Sequence, residues 1–440
     1  MKGFCTSLVL AVLIIAIAGC VSIPPEEAGI MNNESLLQKE AVPSNGQPEE
    51  LRALTSKSTL NDYLVYAALH NPGLKAAFLK WAAALEKIPQ VTALPDPQFT
   101  YGYFIQEMMN QRQMFTLEQT FPWFGKLQLQ GNAAAEAARA QKANYDAARL
   151  KLFYQVQDAY YEYYYLAKAI AVTKENLGYA KYLESVARAG YASGIIPDAD
   201  VIRAQVELGK LEDRLKTLDD QAEPVAAKLN AALNRPPDTP LFWPEEIKAQ
   251  KASFTSGQLL GWLKQYNPEL KAVAFQAARE KWKIARAKKD YYPDVMLGMQ
   301  GVDISQGKDA VLATASVNLP IHWKKYRAEV CEASDNYKSL LRERENLENT
   351  LAASVKFAEY KFRDANRKIA LYKGSLIPEA KQAFAVSLQA YQTGKETYTS
   401  VVDSIRTLLE FELSYERAFA DREQSLAKLE MLVGRAIPGS

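Results

Sequence analysis

The chain has 440 residues, of which 48% are hydrophobic and 24% charged, and a formal net charge of +2. That much apolar material excludes a disordered protein. The near-neutral balance gives no electrostatic argument for nucleic acid as a partner.

Residues 1–19 are built as a secretory signal peptide. Lys2 is the charged start, and Leu8 to Ala18 is an apolar run too short to span a bilayer as a helix. Ile17-Ala18-Gly19-Cys20 resembles the bacterial lipoprotein signal, which implies that Cys20 becomes the lipidated, palmitate-bearing first residue. Val21 stands where an aspartate commonly retains lipoproteins at the inner membrane, which favours the outer membrane. Cys5 leaves with the signal and Cys331 stands alone, so no internal disulfide is expected. Cys331 falls in a helical pattern and is expected to be small core filler.

Residues 20–58 are rich in Pro, Glu, Asn, Ser and Gln and form a flexible tether. Thr59 caps a helix running to about Ile88, which Asn71-Pro72 must kink or split. Leu94-Pro95-Asp96-Pro97 stops the helical pattern. Gln98 to Gln106 and Gln113 to Phe121 then alternate apolar and mixed positions, a strand signal at the length needed to cross a membrane on a tilt. A soluble β-hairpin has the same signature. Pro122-Trp123-Phe124-Gly125 follows, with aromatics where a membrane-interface belt would lie.

From Lys126 to Gly194 the chain has no proline. Leu152, Val156, Ala159, Tyr163, Leu166, Ile170, Thr173, Leu177 and Ala180 recur in steps of four and three, a heptad seam. Such a helix would be about 100 Å long. Gly178 is a candidate weak point. Tyr191-Ala-Ser-Gly194 ends it, Pro197 is expected at the first position of the next helix, and Asp198 and Asp200 suit its N-terminus. That helix runs to about Asn234, and the proline-rich residues 235–254 are an irregular connector.

The pattern then repeats. His70-Asn71-Pro72 returns 196 residues later as Tyr266-Asn267-Pro268, and Pro95-Asp96 returns after 198 as Pro293-Asp294. Strand patterns follow at Val295 to Val302 and Val311 to Leu319. A second long helix starts near Lys324, with Val355, Ala358, Phe362, Ala365, Ile369 and Tyr372 as its seam. Pro378 falls opposite Gly178. Gly394 answers Gly194 at a shift of 200. The chain thus divides into repeat 1 (59–234), the connector, repeat 2 (255–435) and a tail (436–440), a duplication of one structural unit. The fold class is mainly α with a small β part.

Four membrane-competent strands cannot close a barrel, since the smallest need about eight. Several copies must therefore share one. On the duplication, the proline-flanked strand pairs, Pro122-Trp123-Phe124-Gly125-Lys126 and the two glycine-containing helix tips, the chain resembles the TolC-type outer-membrane efflux proteins, and their lipoprotein members in particular. The resemblance covers roughly residues 59–435. It implies a homotrimer with a shared twelve-stranded barrel in outer-membrane lipid and an α-helical tunnel through the periplasm. It also implies a periplasmic adaptor (membrane fusion protein) and an inner-membrane pump as partners. Pro122 to Lys126 and Pro378 are similar to members that serve heavy-metal cation efflux.

The resemblance also implies site residues. Gly194, Ile195, Ile196, Asp200 and Val201 match the first tip, which docks onto the adaptor, and Gly394 begins the second. Family members often carry two acids three residues apart at the second tip, narrowing the periplasmic entrance. Here they are Ser400 and Asp403, so one carboxylate is missing. Asp200 and Asp403 also suit the first turn of any helix. No nucleotide-binding, zinc-protease or C-x-x-C motif occurs, and His70 and His322 have no ligand-spaced neighbours. His322, beside Trp323, is expected at an interface. The Tyr160–Tyr165 run is expected to pack between helices with its hydroxyls toward a lumen. No cofactor, metal or catalytic residue is expected, and the chain is not an enzyme. The alternatives are a periplasmic adaptor, which should have one helical hairpin within β-rich domains, and a structural coiled-coil lipoprotein, which would need no alternating strands.

Overall fold

The computed structural model describes residues 54–108, 111–244, 247, 249, 251–304 and 309–439. The signal peptide, Cys20 and most of the tether lie outside the described residues. The elements are α1 (Leu60–His70), α2 (Pro72–Leu85), α3 (Lys87–Thr92), β1 (Gln98–Met108), β2 (Gln111–Phe121), α4 (Lys126–Ala192), α5 (Asp198–Asp220) and α6 (Ala222–Ala232). The series then recurs as α7 (Ser256–Tyr266), α8 (Pro268–Lys289), β3 (Val295–Ile304), β4 (Ala310–Val317), α9 (Trp323–Leu371), a π-helical turn (Tyr372–Leu376), α10 (Ile377–Gln392) and α11 (Tyr398–Val433). The chain forms two compact units. The first contains Ala77–Tyr145 and Glu269–Leu347, and the second contains Asp146–Pro268, Glu348–Ser440 and the described part of Ser35–Ala76.

The first unit is a four-stranded antiparallel sheet with the helical segments that lead into and out of it. The strands run in the order β1-β2-β3-β4. β2 pairs with β3 from Phe121 opposite Val295 to Phe115 opposite Gly301, so the two repeats join at the middle of the sheet. β1 and β4 are the edges. A proline lies within three residues before β1 and before β3, and another closely follows β2 and β4, which keeps each strand from extending into its helix.

The second unit is helical. The helix starts are specified locally and twice over. The N–H of Thr59 donates to the Asp62 carboxylate at 2.6 Å at the head of α1. At the head of α7, Thr255 and Gln258 exchange backbone-to-side-chain bonds of 2.8 and 3.2 Å, a reciprocal capping box. Each Asn-Pro step splits the helical run. Asn71 donates to the Ala232 carbonyl at 3.2 Å and Asn267 to the Leu432 carbonyl at 2.8 Å. The prolines end one helix and start the next, while the amides tie each break to the end of the last helix of the same repeat.

All nine seam positions of α4 from Leu152 to Ala180 are buried. In α9 the seam holds at Val355, Ala358, Phe362 and Ala365, whereas Ile369 and Tyr372 are half-buried. Tyr372 opens the π-helical turn, whose extra residue per turn rotates the stripe from there on, just before Pro378, whose missing N–H it accommodates; Ile369 lies ahead of that turn. Gly178, by contrast, lies in an unbroken helix. The matched weak points expected at Gly178 and Pro378 are therefore not equivalent.

Three further expectations need correction. Pro197 is the N-cap of α5, extended at φ −68° and ψ 149°, not its first helical residue. Cys331 is exposed on α9 rather than core filler. The Tyr163 hydroxyl donates inward to the Leu241 carbonyl at 3.2 Å, and its ring stacks on Trp243 at 4.3 Å. The connector, with its aromatic Trp243, thus buries this tyrosine and pushes its phenol up to about 12.

Candidate functional site

Three places in the fold have geometry beyond helix packing. The first is the sheet. Register and alternation put Phe99, Tyr101, Tyr103, Ile105, Phe115, Leu117, Leu297, Met299, Val311 and Val317 on one face. Most of these are exposed, and Ile105 is 96% exposed. The other face is mixed, carrying Thr100, Thr116, Glu118, Thr120, Gln300, Thr314 and Ser316 together with Met114, Met296, Val302 and Leu312. A Cβ on Gly298 would stand 3.1 Å from the Glu118 Cγ, so the missing side chain makes room for that carboxylate. A predominantly apolar face left uncovered is the inverse of a soluble sheet, whose apolar face is buried. Among the described residues no helix is long and apolar enough to cross a membrane.

The second place is the junction where β2 enters α4. Lys126 is only 5% exposed. Its ammonium lies 2.8 Å from Asp294, 3.4 Å from Asp290 and 3.3 Å from the Tyr292 carbonyl. Asp294 also accepts the Trp123 N–H at 2.7 Å, and Trp123 stacks on Tyr292 at 5.4 Å. This clamp gives the Pro-Trp-Phe-Gly-Lys sequence a physical role that its spacing alone did not reveal. It locks the exit of β2 to the residues just before β3. A buried ammonium needs such partners because desolvation otherwise expels it. The signal was present in the sequence as a lysine set among aromatics. His322, in the corresponding stretch of the second repeat, is exposed next to an exposed Trp323.

The third place is the pair of helical turns between α4 and α5 and between α10 and α11. Gly194 and Gly394 have φ of +74° and +68°, the left-handed region. Their N–H groups donate to the Tyr191 and Tyr391 carbonyls at 2.9 and 3.0 Å. The site residues expected at these turns divide into two kinds. Ile196 and Val201 are buried, sharing a core with Phe384, Tyr391, Tyr398 and Val401. A side chain on Gly190 would collide with Ile196. Gly194 and Ile195 remain at the surface, Ile195 at 66% exposure. Asp200 pairs with Arg203 at 3.3 Å. Burial in the tip core, with Asp200 beside it, pushes the Tyr391 phenol up to about 12.

At the second turn the Ser400 N–H caps the helix by donating to the Thr397 hydroxyl at 3.4 Å. Asp403 is largely exposed, 3.6 Å from Arg406. Arg406 turns its main bonds to Glu207, with Nε to Oε1 at 3.0 Å and Nη2 to Oε2 at 2.5 Å. That bidentate pair holds the Glu207 carboxyl below its ordinary range. Sequence reasoning missed Arg406 and Glu207. They stand 199 residues apart and do not occupy matching positions of the repeats. No group of three or more His, Cys, Asp or Glu side chains placed to hold a metal occurs among the described residues.

A family model described as outer membrane efflux protein matches residues 64–235 and 259–435. Among curated proteins, the toxin and drug export protein A of Aggregatibacter actinomycetemcomitans is 24% identical over 224 residues, 48% of either chain. The chain thus spans about half the length of the curated relative it matches. Among solved structures, CusC, described in terms of folding and transmembrane channel formation, superposes with a TM-score of 0.75 at 14% identity, covering 90% of this chain and 99% of that one. The open state of the MtrE outer-membrane channel of Neisseria gonorrhoeae superposes at 0.69 with 17% identity, covering 90% and 98%. At these identities the superpositions show a shared fold.

Proposed function

The chain belongs to the outer membrane efflux protein family, and we propose that it is the outer-membrane duct of a tripartite export system. Three copies pair their four-stranded sheets edge to edge into one barrel, with the Phe99–Ile105 face in lipid and the Glu118 face lining the lumen. The long helices continue that lumen as a tunnel into the periplasm. The α4–α5 and α10–α11 turns are the docking end for a periplasmic adaptor, which connects to an inner-membrane pump. The duct is passive and catalyses nothing. Lipid on Cys20 adds a second hold on the outer membrane. Its cargo is small toxic compounds or metal cations, selected at the pump.

The observation that carries this reading is the sheet. Its apolar face is uncovered, its mixed face holds the Glu118 carboxylate, and β1 and β4 are both edges. In lipid every backbone group must be paired, and only closure with other copies pairs those edges. A periplasmic adaptor would carry one helical hairpin, whereas here two equal helix–strand–strand–helix units occur. The test is the mass of the detergent-extracted particle together with conductance in a planar bilayer. Trimers that open ion-conducting channels are expected. A monomeric particle, or recovery of the protein in the inner-membrane fraction, overturns the proposal.

A further inference from the structure

The duplication predicts more than a repeated fold, because within a protomer the strand pairs of the two repeats meet along one seam, β2 against β3. Where they meet, the contact is explicit. Lys126, at the start of α4, reaches Asp294 just before β3 at 2.8 Å, and Trp123 packs on Tyr292. A shift of 198 residues carries Lys126 onto Lys324, Trp123 onto Ile321, Asp294 onto Asp96 and Tyr292 onto Leu94. These four are the same junction read from the other end of each repeat. In the protomer all four are exposed, Ile321 at 67% and Leu94 at 38%. They sit at opposite edges of the sheet, beside β4 and β1, where no strand of the same chain can bring them together.

We infer that Lys324 of one copy clamps onto Asp96 of the next, rebuilding between subunits the junction that Lys126 and Asp294 make within each. The inference rests on the shared-barrel reading above and adds its register and its charge pair. Ile321 packs on Leu94 of the partner subunit, the aliphatic counterpart of the Trp123–Tyr292 stack. The β2–β3 register sets Leu117 opposite Met299 and Phe115 opposite Gly301. Carried along by the same shift, it sets Ala315 opposite Tyr101 of the partner subunit and Ala313 opposite Tyr103 of the partner subunit. Small residues on β4 thus face the large exposed rings of β1, and the lipid-facing side of one sheet continues into that of the next.

Two details distinguish the new junction from its template. Asp290 corresponds to Thr92, so the clamp between subunits has one acid where the internal one has two. Gly125, left-handed at φ +84°, corresponds to Trp323, and α9 accordingly begins at Trp323. The lysine stays in the first helical turn in both repeats. The contact between subunits is therefore the weaker of the two, as an interface that forms after folding can be.

The test uses the full chain with Cys331→Ala, purified in detergent. Tyr101→Cys with Ala315→Cys is expected to give covalent trimers on mild oxidation, and Tyr101→Cys with Ala313→Cys is expected to give few. Lys324→Asp or Asp96→Lys alone should lower the trimer fraction about tenfold, as expected for three half-exposed ion pairs lost at once. The two together should restore it. All these positions are exposed in the protomer, so unchanged helical circular dichroism checks that each variant folds. Wild-type trimers that fail either the cysteine or the charge-reversal test overturn the inference and leave the duct standing. A wild-type chain that is monomeric overturns both.

Discussion

Replacing Lys126 by Met tests how the exit of β2 into α4 is held to the residues before β3. Methionine nearly preserves the volume and apolar stem of lysine, so the loss is electrostatic. The ammonium is almost fully buried and lies 2.8 Å from Asp294 and 3.4 Å from Asp290. Breaking a fully buried ion pair by deleting one partner costs about 3–5 kcal/mol, because the other charge is stranded. Here the stranded acids have some relief. Asp290 keeps Arg286 at 3.4 Å, and Asp294 keeps the Trp123 N–H and is 28% exposed. The expected loss is therefore about 2–3 kcal/mol, or roughly 5–10 °C in the melting of a unit of this size. Circular dichroism in detergent would measure the melt, and near-ultraviolet signals would report the Trp123–Tyr292 stack. Adding Asp294→Asn should recover part of the loss, giving a coupling of about 1 kcal/mol in a double-mutant cycle. A Lys126→Met protein that melts within a degree of wild type would refute the argument, as would additive effects of the two substitutions.

Ile195→Asp should weaken binding to the adaptor about tenfold, since it removes the exposed apolar side chain of the first tip, and should leave the melt unchanged; equal adaptor binding in a pull-down titration would exclude this tip. Asp403→Ala should reduce block of the purified channel by divalent cations without loosening the tip, because Arg406 is held mainly by Glu207; an unchanged block would leave Asp403 as a helix-end residue only. The Glu207–Arg406 bond lowers the folded carboxyl below its ordinary 4.5, so its contribution is full above that value and is lost as pH falls through the lowered one. Conductance should therefore change as pH drops below about 4.5, and Glu207→Gln should abolish that response; a response that survives the substitution would place the titrating group elsewhere.

The parts of this fold that were legible in the sequence are those fixed by periodicity. A seam of nine positions in α4 stays in register because burial of one stripe along an uninterrupted helix is a local rule applied repeatedly. The strands were legible for the same reason at period two, and their ends were marked by prolines. What escaped was decided by neighbours far along the chain. Cys331 has the same helical pattern as a core residue, but its face of α9 has no covering element within the protomer. Tyr163 was expected to turn its hydroxyl to a lumen, yet the Leu241 carbonyl lies within reach and Trp243 covers the ring. The Lys126 clamp joins residues 168 apart, and no rule of spacing points from one to the other.

The differences between the repeats follow one logic. A duplicated unit that closes with copies of itself has two kinds of junction, one inside the chain and one between chains. The internal junction folds with the protomer and can bury a lysine between two acids. The junction proposed between chains would have to stay soluble until a second copy arrives, and the exposure of Lys324 and Asp96, with Thr92 at the place of the second acid, fits that requirement. The tips diverge as well. Asp200 and Arg203 pair within α5, while their counterparts are Ser400 and the largely exposed Asp403, which lies 3.6 Å from Arg406. Where the two repeats have equivalent surroundings, as at the Asn-Pro breaks, the residues and their hydrogen bonds are the same. Where the surroundings differ, the sequence differs, and those positions are where partners and cargo are expected to act.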